Sequence, residues 1–156
     1  MHVALAVGGV AVVGAVALPA LDLVLATADP PVLPPFQGAE PPRVVVSRSR
    51  PPDVAYDVTE ALGGVMIPMG SAGAKIAAVI LGAADVYVHA GGQYEWDSCA
   101  PVAVALAAGL HASRLDGSPL RYGELEPWLP DLVVCHPSLT DAVMDALGAA
   151  GALASE

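Results

Sequence analysis

Tyr94-Glu95-Trp96-Asp97-Ser98-Cys99-Ala100-Pro101 decides the reading of this chain, together with Gly70-Ser71-Ala72-Gly73-Ala74-Lys75 upstream of it. Each stretch places small and polar residues where a helix should begin. A helix start presents unpaired backbone N–H groups and a partial positive charge, which suits an anion such as phosphate. Asp97 adds a carboxylate in the first turn of the second helix, where it could hold a hard cation such as Mg2+ against that phosphate. Two helix starts facing one cleft would make a metal-assisted phosphate site. One carboxylate alone does not hold catalytic magnesium.

Working outward, the segments around these starts alternate between strand and helix patterns. Residues 43–47 read as a strand and 51–62 as a helix with Asp53, Asp57 and Glu60 on its wet side. Residues 65–69 read as a second strand, and Ser71 caps a mostly apolar helix to about residue 81. Residues 85–89 form a third strand ending at Gly91-Gly92, followed by an apolar helix over about 97–108. A hairpin is expected from 112–115, the turn Asp116-Gly117 and 120–122. Residues 131–135 make a last strand, and Ser138-Leu139-Thr140-Asp141 has the form of a capping box opening the final helix. The alternation indicates an α/β layer architecture.

Residues 1–21 carry no charge apart from His2, a length that admits a membrane span. Gly8-Gly9, Gly14 and Pro19 interrupt the run, and its Val content favours antiparallel strands over 3–7, 10–18 and 23–27. No membrane partner is expected. Six prolines between Asp29 and Arg43 then mark a linker. The organisation is thus 1–28 strands, 29–42 linker and 43–150 an α/β body.

The 156 residues suffice for one core-bearing domain, and the mean hydropathy is +0.61. Six Lys+Arg stand against sixteen Asp+Glu, a net charge of −10 without a basic stripe, which argues against nucleic-acid binding. Cys99 and Cys135 lack zinc-type spacing and read as reduced thiols, consistent with a cytoplasmic setting.

Gly70-Ser71-Ala72-Gly73-Ala74-Lys75, Asp85-Val86-Tyr87 and Trp96-Asp97-Ser98-Cys99-Ala100-Pro101 together resemble the inositol monophosphatase superfamily. Within it they are most similar to the 3'(2'),5'-bisphosphate nucleotidase (CysQ-type) branch. Ala108-Gly109, Asp116-Gly117-Ser118-Pro119-Leu120 and Val46-Ser47-Arg48-Ser49 add to the match, which spans about 43–147. The resemblance implies the layered sandwich of mixed sheet and helices of the inositol monophosphatase/sugar phosphatase fold, with residues 1–28 as a remnant of its central antiparallel strands. It also implies Mg2+-dependent hydrolysis of a small phosphorylated substrate, in sulfur assimilation. 3'-Phosphoadenosine 5'-phosphate is the first choice and an inositol phosphate the second.

Carried over, Asp97 would be the metal ligand and would help orient the attacking water. Ser71 and Lys75 would lie on the nucleotide or its 5'-phosphate, with Gly73 a further substrate-side position, and Ser49 would approach the adenosine. His89 is a substrate-contacting candidate where relatives carry Glu or Arg, and Arg50 stands where a His is common. The residue types alone also admit plainer roles: Asp97 and Ser71 as helix caps, Lys75 as a snorkelling surface cation, and Tyr94 and Trp96 as packing over a cleft wall.

The family's first signature, Asp-Pro-(Ile/Leu)-Asp-Gly-Thr, has no counterpart here; Asp29-Pro30 continues Pro31-Val32. Two-metal phosphate chemistry needs carboxylates converging from several segments. The chain therefore reads as the C-terminal part of such a phosphatase, with little or no turnover by itself. The alternative is a non-catalytic phosphate-binding or assembly module of the same descent. An open sheet edge and apolar surface would favour self-association into a homo-oligomer.

Overall fold

The computed structural model describes residues 1–36, 38 and 40–151. Its strands and helices follow in the order β1 (His2–Val7), β2 (Val10–Leu18), β3 (Leu23–Ala26), β4 (Arg43–Ser47), α1 (Asp53–Ala61), β5 (Val65–Met69), α2 (Ala72–Ile80), β6 (Val86–Tyr94), α3 (Glu95–Ala107), β7 (His111–Ser113), β8 (Trp128–Cys135) and α4 (Thr140–Ala149). β1–β2–β3 form an antiparallel sheet, and a second, mixed sheet has the order β5-β4-β6-β8-β7. In the mixed sheet β5 and β6 run parallel to β4, while β8 runs antiparallel to β6 and β7.

The valine runs explain the layering. Successive side chains on a strand point to opposite faces, so a strand buried on both faces can be apolar throughout. Val45, Tyr87, Leu132 and Val134 point into one core, which they share with α2 and α3. Val44, Val46, Val86, Val88, Val133 and Cys135 point into the other, against α1 and α4. Val16 of β2 and Leu25 of β3 join the first core, so α3 is wedged between the two sheets. Its apolar sequence follows from that position, and nine of its residues are buried. Gly14 lets β2 approach α3, since a Cβ there would collide with the Ala100 carbonyl and the Ala103 methyl.

Two bidentate ion pairs tie down the mixed sheet. Arg43 Nε and Nη2 donate to Asp85 at 2.9 Å each, and the Arg43 backbone N–H reaches the same carboxylate at 2.7 Å. Burial pushes the Asp85 carboxyl up, but these bonds and the Arg43 charge outweigh it and hold its pKa below the usual carboxylate range. Arg114 grips Asp131 in the same way, at 2.7 and 2.6 Å.

Three expectations are corrected. Residues 120–122 form no strand; β7 pairs with β8, and Tyr122 instead donates its N–H to the Gly9 carbonyl at 3.0 Å. The third strand of the body does not end at Gly91-Gly92 but runs through them to Tyr94, and α3 begins at Glu95 rather than near Asp97. Ser138 does not cap the last helix. A 3-10 turn over Pro137–Leu139 intervenes, where His136 Nδ1 accepts from the Ser138 N–H at 3.2 Å, and α4 starts at Thr140 without a side-chain cap.

Among the described residues no helix is long and apolar enough to cross a membrane. Cys99 and Cys135 are buried free thiols, and burial raises both pKa values, that of Cys135 to about 11.

Candidate functional site

The start of α3 is fixed by what precedes it. The pairing of β6 with β8 slips between Ala90 and Gln93, where Gly91 and Gly92 adopt φ of 89° and 84°. Side-chain-bearing residues rarely adopt that conformation, so the bulge depends on glycine. His89 braces it by donating its Nε2–H to the Gly92 carbonyl at 3.0 Å. Burial lowers the His89 pKa, against an upward pull from that carbonyl.

The strand then passes straight into α3. Glu95, its first residue, is buried and accepts from the N–H groups of Gly123 and Glu124 at 2.6 and 3.3 Å. Asp97, two positions on, is half-buried, and its carboxylate accepts no hydrogen bond among the described residues. Pro101 lies inside the helix and has no N–H to return to the Asp97 carbonyl.

The start of α2 supplies the second wall. Ser71 is its N-cap, with Oγ accepting from the Ala74 N–H at 3.4 Å, and its backbone is held at φ 59°. A non-glycine residue in that region is strained by about 1–3 kcal/mol. Lys75, one turn into α2, is 5 % exposed, and its ammonium lies 5.2 Å from the centroid of the Tyr87 ring. Burial lowers its pKa, and the nearby Asp97 charge partly offsets that. The same burial, reinforced by Asp97, raises the Tyr87 pKa.

Both helix starts open onto one cleft of about 660 Å³, reached by Ala72 and Lys75 from α2 and by Asp97 from α3. Tyr87, His89, Gln93 and Tyr94 of β6, Ser47 at the end of β4, Arg50 and Trp128 complete most of its wall. Of the residues singled out from the sequence, Lys75, His89 and Asp97 therefore meet in the cleft. Ser49 is exposed and outside the lining, and Ser71 stands just behind Ala72 at the helix tip. Gly73 is buried on the opposite side, under the His2 imidazole, where it has space for no side chain. Tyr87 stood in the Asp85-Val86-Tyr87 stretch without an assigned role, and Gln93 and Trp128 carried no sequence signal as cleft residues. Trp128 reaches the cleft because β8 pairs it with Tyr94, and no local pattern encodes that pairing.

The fold and this cleft define a layered α/β protein with two helix tips converging on one polar depression. The model of the inositol monophosphatase family matches residues 42–148, and the chain belongs to that family. The 3'-phosphoadenosine 5'-phosphate phosphatase of Mycobacterium bovis is 56 % identical over 108 residues, covering 67 % of this chain and 40 % of that protein. The structure of CysQ from Bacteroides thetaiotaomicron superposes with a TM-score of 0.73 at 23 % identity, covering 86 % of this chain and 61 % of that one. Staphylococcal IMPase-II superposes with a TM-score of 0.76 at 14 % identity, covering 98 % and 65 %. The chain thus spans about two-fifths of the length of such curated relatives, which also include the 3'(2'),5'-bisphosphate nucleotidase CysQ of Salmonella typhimurium, 34 % identical over 91 residues.

Proposed function

We propose that this chain forms the substrate-side wall of a metal-dependent phosphate monoester hydrolase of 3'(2'),5'-bisphosphate nucleotidase type. The proposed substrate is 3'-phosphoadenosine 5'-phosphate, with an inositol phosphate second. The observation that carries the reading is the meeting of Lys75, His89 and Asp97 in one cleft between the starts of α2 and α3. A buried ammonium whose pKa burial lowers gains from an arriving dianion, which stabilises its charged form. The α2 start adds N–H donors, and the exposed Arg50 at the cleft edge adds long-range attraction in a chain with few cations.

Magnesium is the proposed cofactor and Asp97 its proposed ligand. The donor set in this chain does not fit a resident catalytic ion. Among the described residues no three His, Cys, Asp or Glu side chains cluster, and Asp97 is the sole carboxylate lining the cleft. Metal-assisted hydrolysis would need further carboxylates converging on Asp97. The chain binds and orients phosphate, and its own turnover is at background. The same single carboxylate supports the second reading, a non-catalytic binding or assembly module.

In the wider assignment, residues 1–28 are the remnant of central strands, 29–42 a linker and 43–150 the C-terminal α/β part, in a cytoplasmic protein. Incubating the chain with 3'-phosphoadenosine 5'-phosphate and Mg2+ should release phosphate at the rate of the blank, while calorimetry detects binding that Lys75→Met weakens at least about tenfold, the loss of one charge-assisted contact. Phosphate release that Asp97→Ala abolishes would overturn the inactivity. Equal binding by the Lys75→Met variant would overturn the site.

A further inference from the structure

Lys75 is the only lysine in the sequence. It is 5 % exposed yet lines the cleft, and among the described residues its side chain forms neither a hydrogen bond nor an ion pair. Its Nζ rests over the Tyr87 ring, 5.2 Å from the centroid. A long side chain on a helix leans toward the N-terminal end, so the Lys75 amine is carried back toward the α2 tip. At that tip the N–H groups of Ala74 and Lys75 are taken by the Ser71 side chain and carbonyl, at 3.4 and 3.2 Å. Those of Ala72 and Gly73 are left for an anion. Burial disfavours the charged form of Lys75 and lowers its pKa. A desolvated, neutral amine is a nucleophile.

We propose that Lys75 is an acylation site: an acyl phosphate seats its phosphoryl group at the α2 tip and passes its acyl group to the Lys75 amine. The inference rests on the phosphate-binding reading of the same cleft and adds to it a covalent means of regulation. The neutral amine nitrogen bonds to the acyl carbon while the bond from that carbon to the phosphate oxygen breaks. The electron pair leaves with the phosphate and the amine proton ends on it, giving a Lys75 amide and inorganic phosphate. The group that guides the donor in is therefore also the leaving group, and an acyl donor without phosphate lacks that handle. Arg43 and Arg114 are engaged by Asp85 and Asp131, whereas Arg50 on the cleft lining is placed to attract the donor. Acylation removes the Lys75 charge, so the product is a chain that no longer takes up phosphate.

The exposed α-amine of Met1 is the only other primary amine of the chain, so it serves as the internal control. The test treats the full, unaltered chain with acetyl phosphate and follows acetyl incorporation at both positions by peptide mass spectrometry. Unguided chemistry favours Met1, the accessible amine. The expected result is acetylation of Lys75 at least about tenfold faster than of Met1, the gain from holding donor and amine together. Inorganic phosphate should suppress the Lys75 reaction and leave Met1 unchanged, and phenyl acetate, an acetyl donor without phosphate, should label Met1 first. Calorimetry should show inorganic phosphate binding to the untreated chain, weakened at least about tenfold once Lys75 is acetylated. Labelling of Lys75 by acetyl phosphate no faster than Met1 would overturn the proposal, and phosphate binding in the same calorimetry would leave the phosphate reading standing. An equal Lys75-to-Met1 ratio from both donors, with phosphate neither binding nor competing, would overturn both. Phosphate binding unchanged by acetylation would remove the regulatory consequence.

Discussion

The mixed sheet has helices on both faces, whereas the β1–β3 sheet has α3 on one face and a bare apolar surface on the other. Val44, Val45 and Val46 of β4 are at most 2 % exposed, while Val3, Leu5, Val7, Val13 and Val24 of the first sheet are 48–65 % exposed. The strands are composed alike. What differs is the neighbours, so an uninterrupted apolar run reports that a strand can be buried on both faces, not that it is. A contiguous bare patch of this kind is uncommon on a monomeric protein. The cleft lies at the edge of the well-covered region, and α3 links the two.

Substitutions can break this contrast. The largest effect is expected from Leu132→Ala at a fully buried position of β8, which should lower stability by about 2–5 kcal/mol in denaturant unfolding. A loss under about 1 kcal/mol would mean that the mixed sheet is looser than its burial implies. Gly14→Ala comes next, because its methyl would press on Ala100 and Ala103 across the junction of β2 and α3. A loss of about 1–3 kcal/mol is expected, and neutrality would mean that the first sheet floats free of α3.

The pH dependence is smaller. Burial holds the folded-state pKa of His89 below its unfolded value of about 6.5. Below that pH the unfolded chain binds more protons, so stability falls as pH drops, and above it His89 contributes no slope. His111, lowered by burial in the same way, adds to the trend. The urea midpoint should fall between about pH 7 and 5.5, and His89→Gln should flatten the fall without removing it. An unchanged slope would mean that His89 does not carry the trend. Least affected in stability should be Leu5→Thr and Val13→Thr on the bare face, within about 0.5 kcal/mol of the parent. Sedimentation should show less self-association in both, and association unchanged in both would mean that this face is not its cause.

Much of this was legible in advance. The β1–β2 hairpin followed from Gly8-Gly9 between valine runs, and the α2 start followed from Ser71. Strands β4 and β5 lie within the expected limits because their patterns are local. The errors came where partners are remote. Residues 112–122 have the pattern of a hairpin, but His111–Ser113 found β8 instead, and the Ser138 box lost to a 3-10 turn held by His136. Within the cleft, Lys75 and Asp97 were visible as a lone cation on an apolar helix and a carboxylate after a tryptophan. Gln93 and Trp128 were not, because strand pairing brings them in from separate segments.

By itself, the sequence determined where strands and helices start, since turn glycines, caps and apolar periods act over a few residues. It also confined the chain to an acidic, cation-poor chemistry. Only the tertiary structure decided which apolar faces are covered, that Gly73 lies under His2 and away from the cleft, and that the aromatic rings gather beside Asp97. Those outcomes depend on side chains distant in sequence competing for the same space, and packing settles that competition.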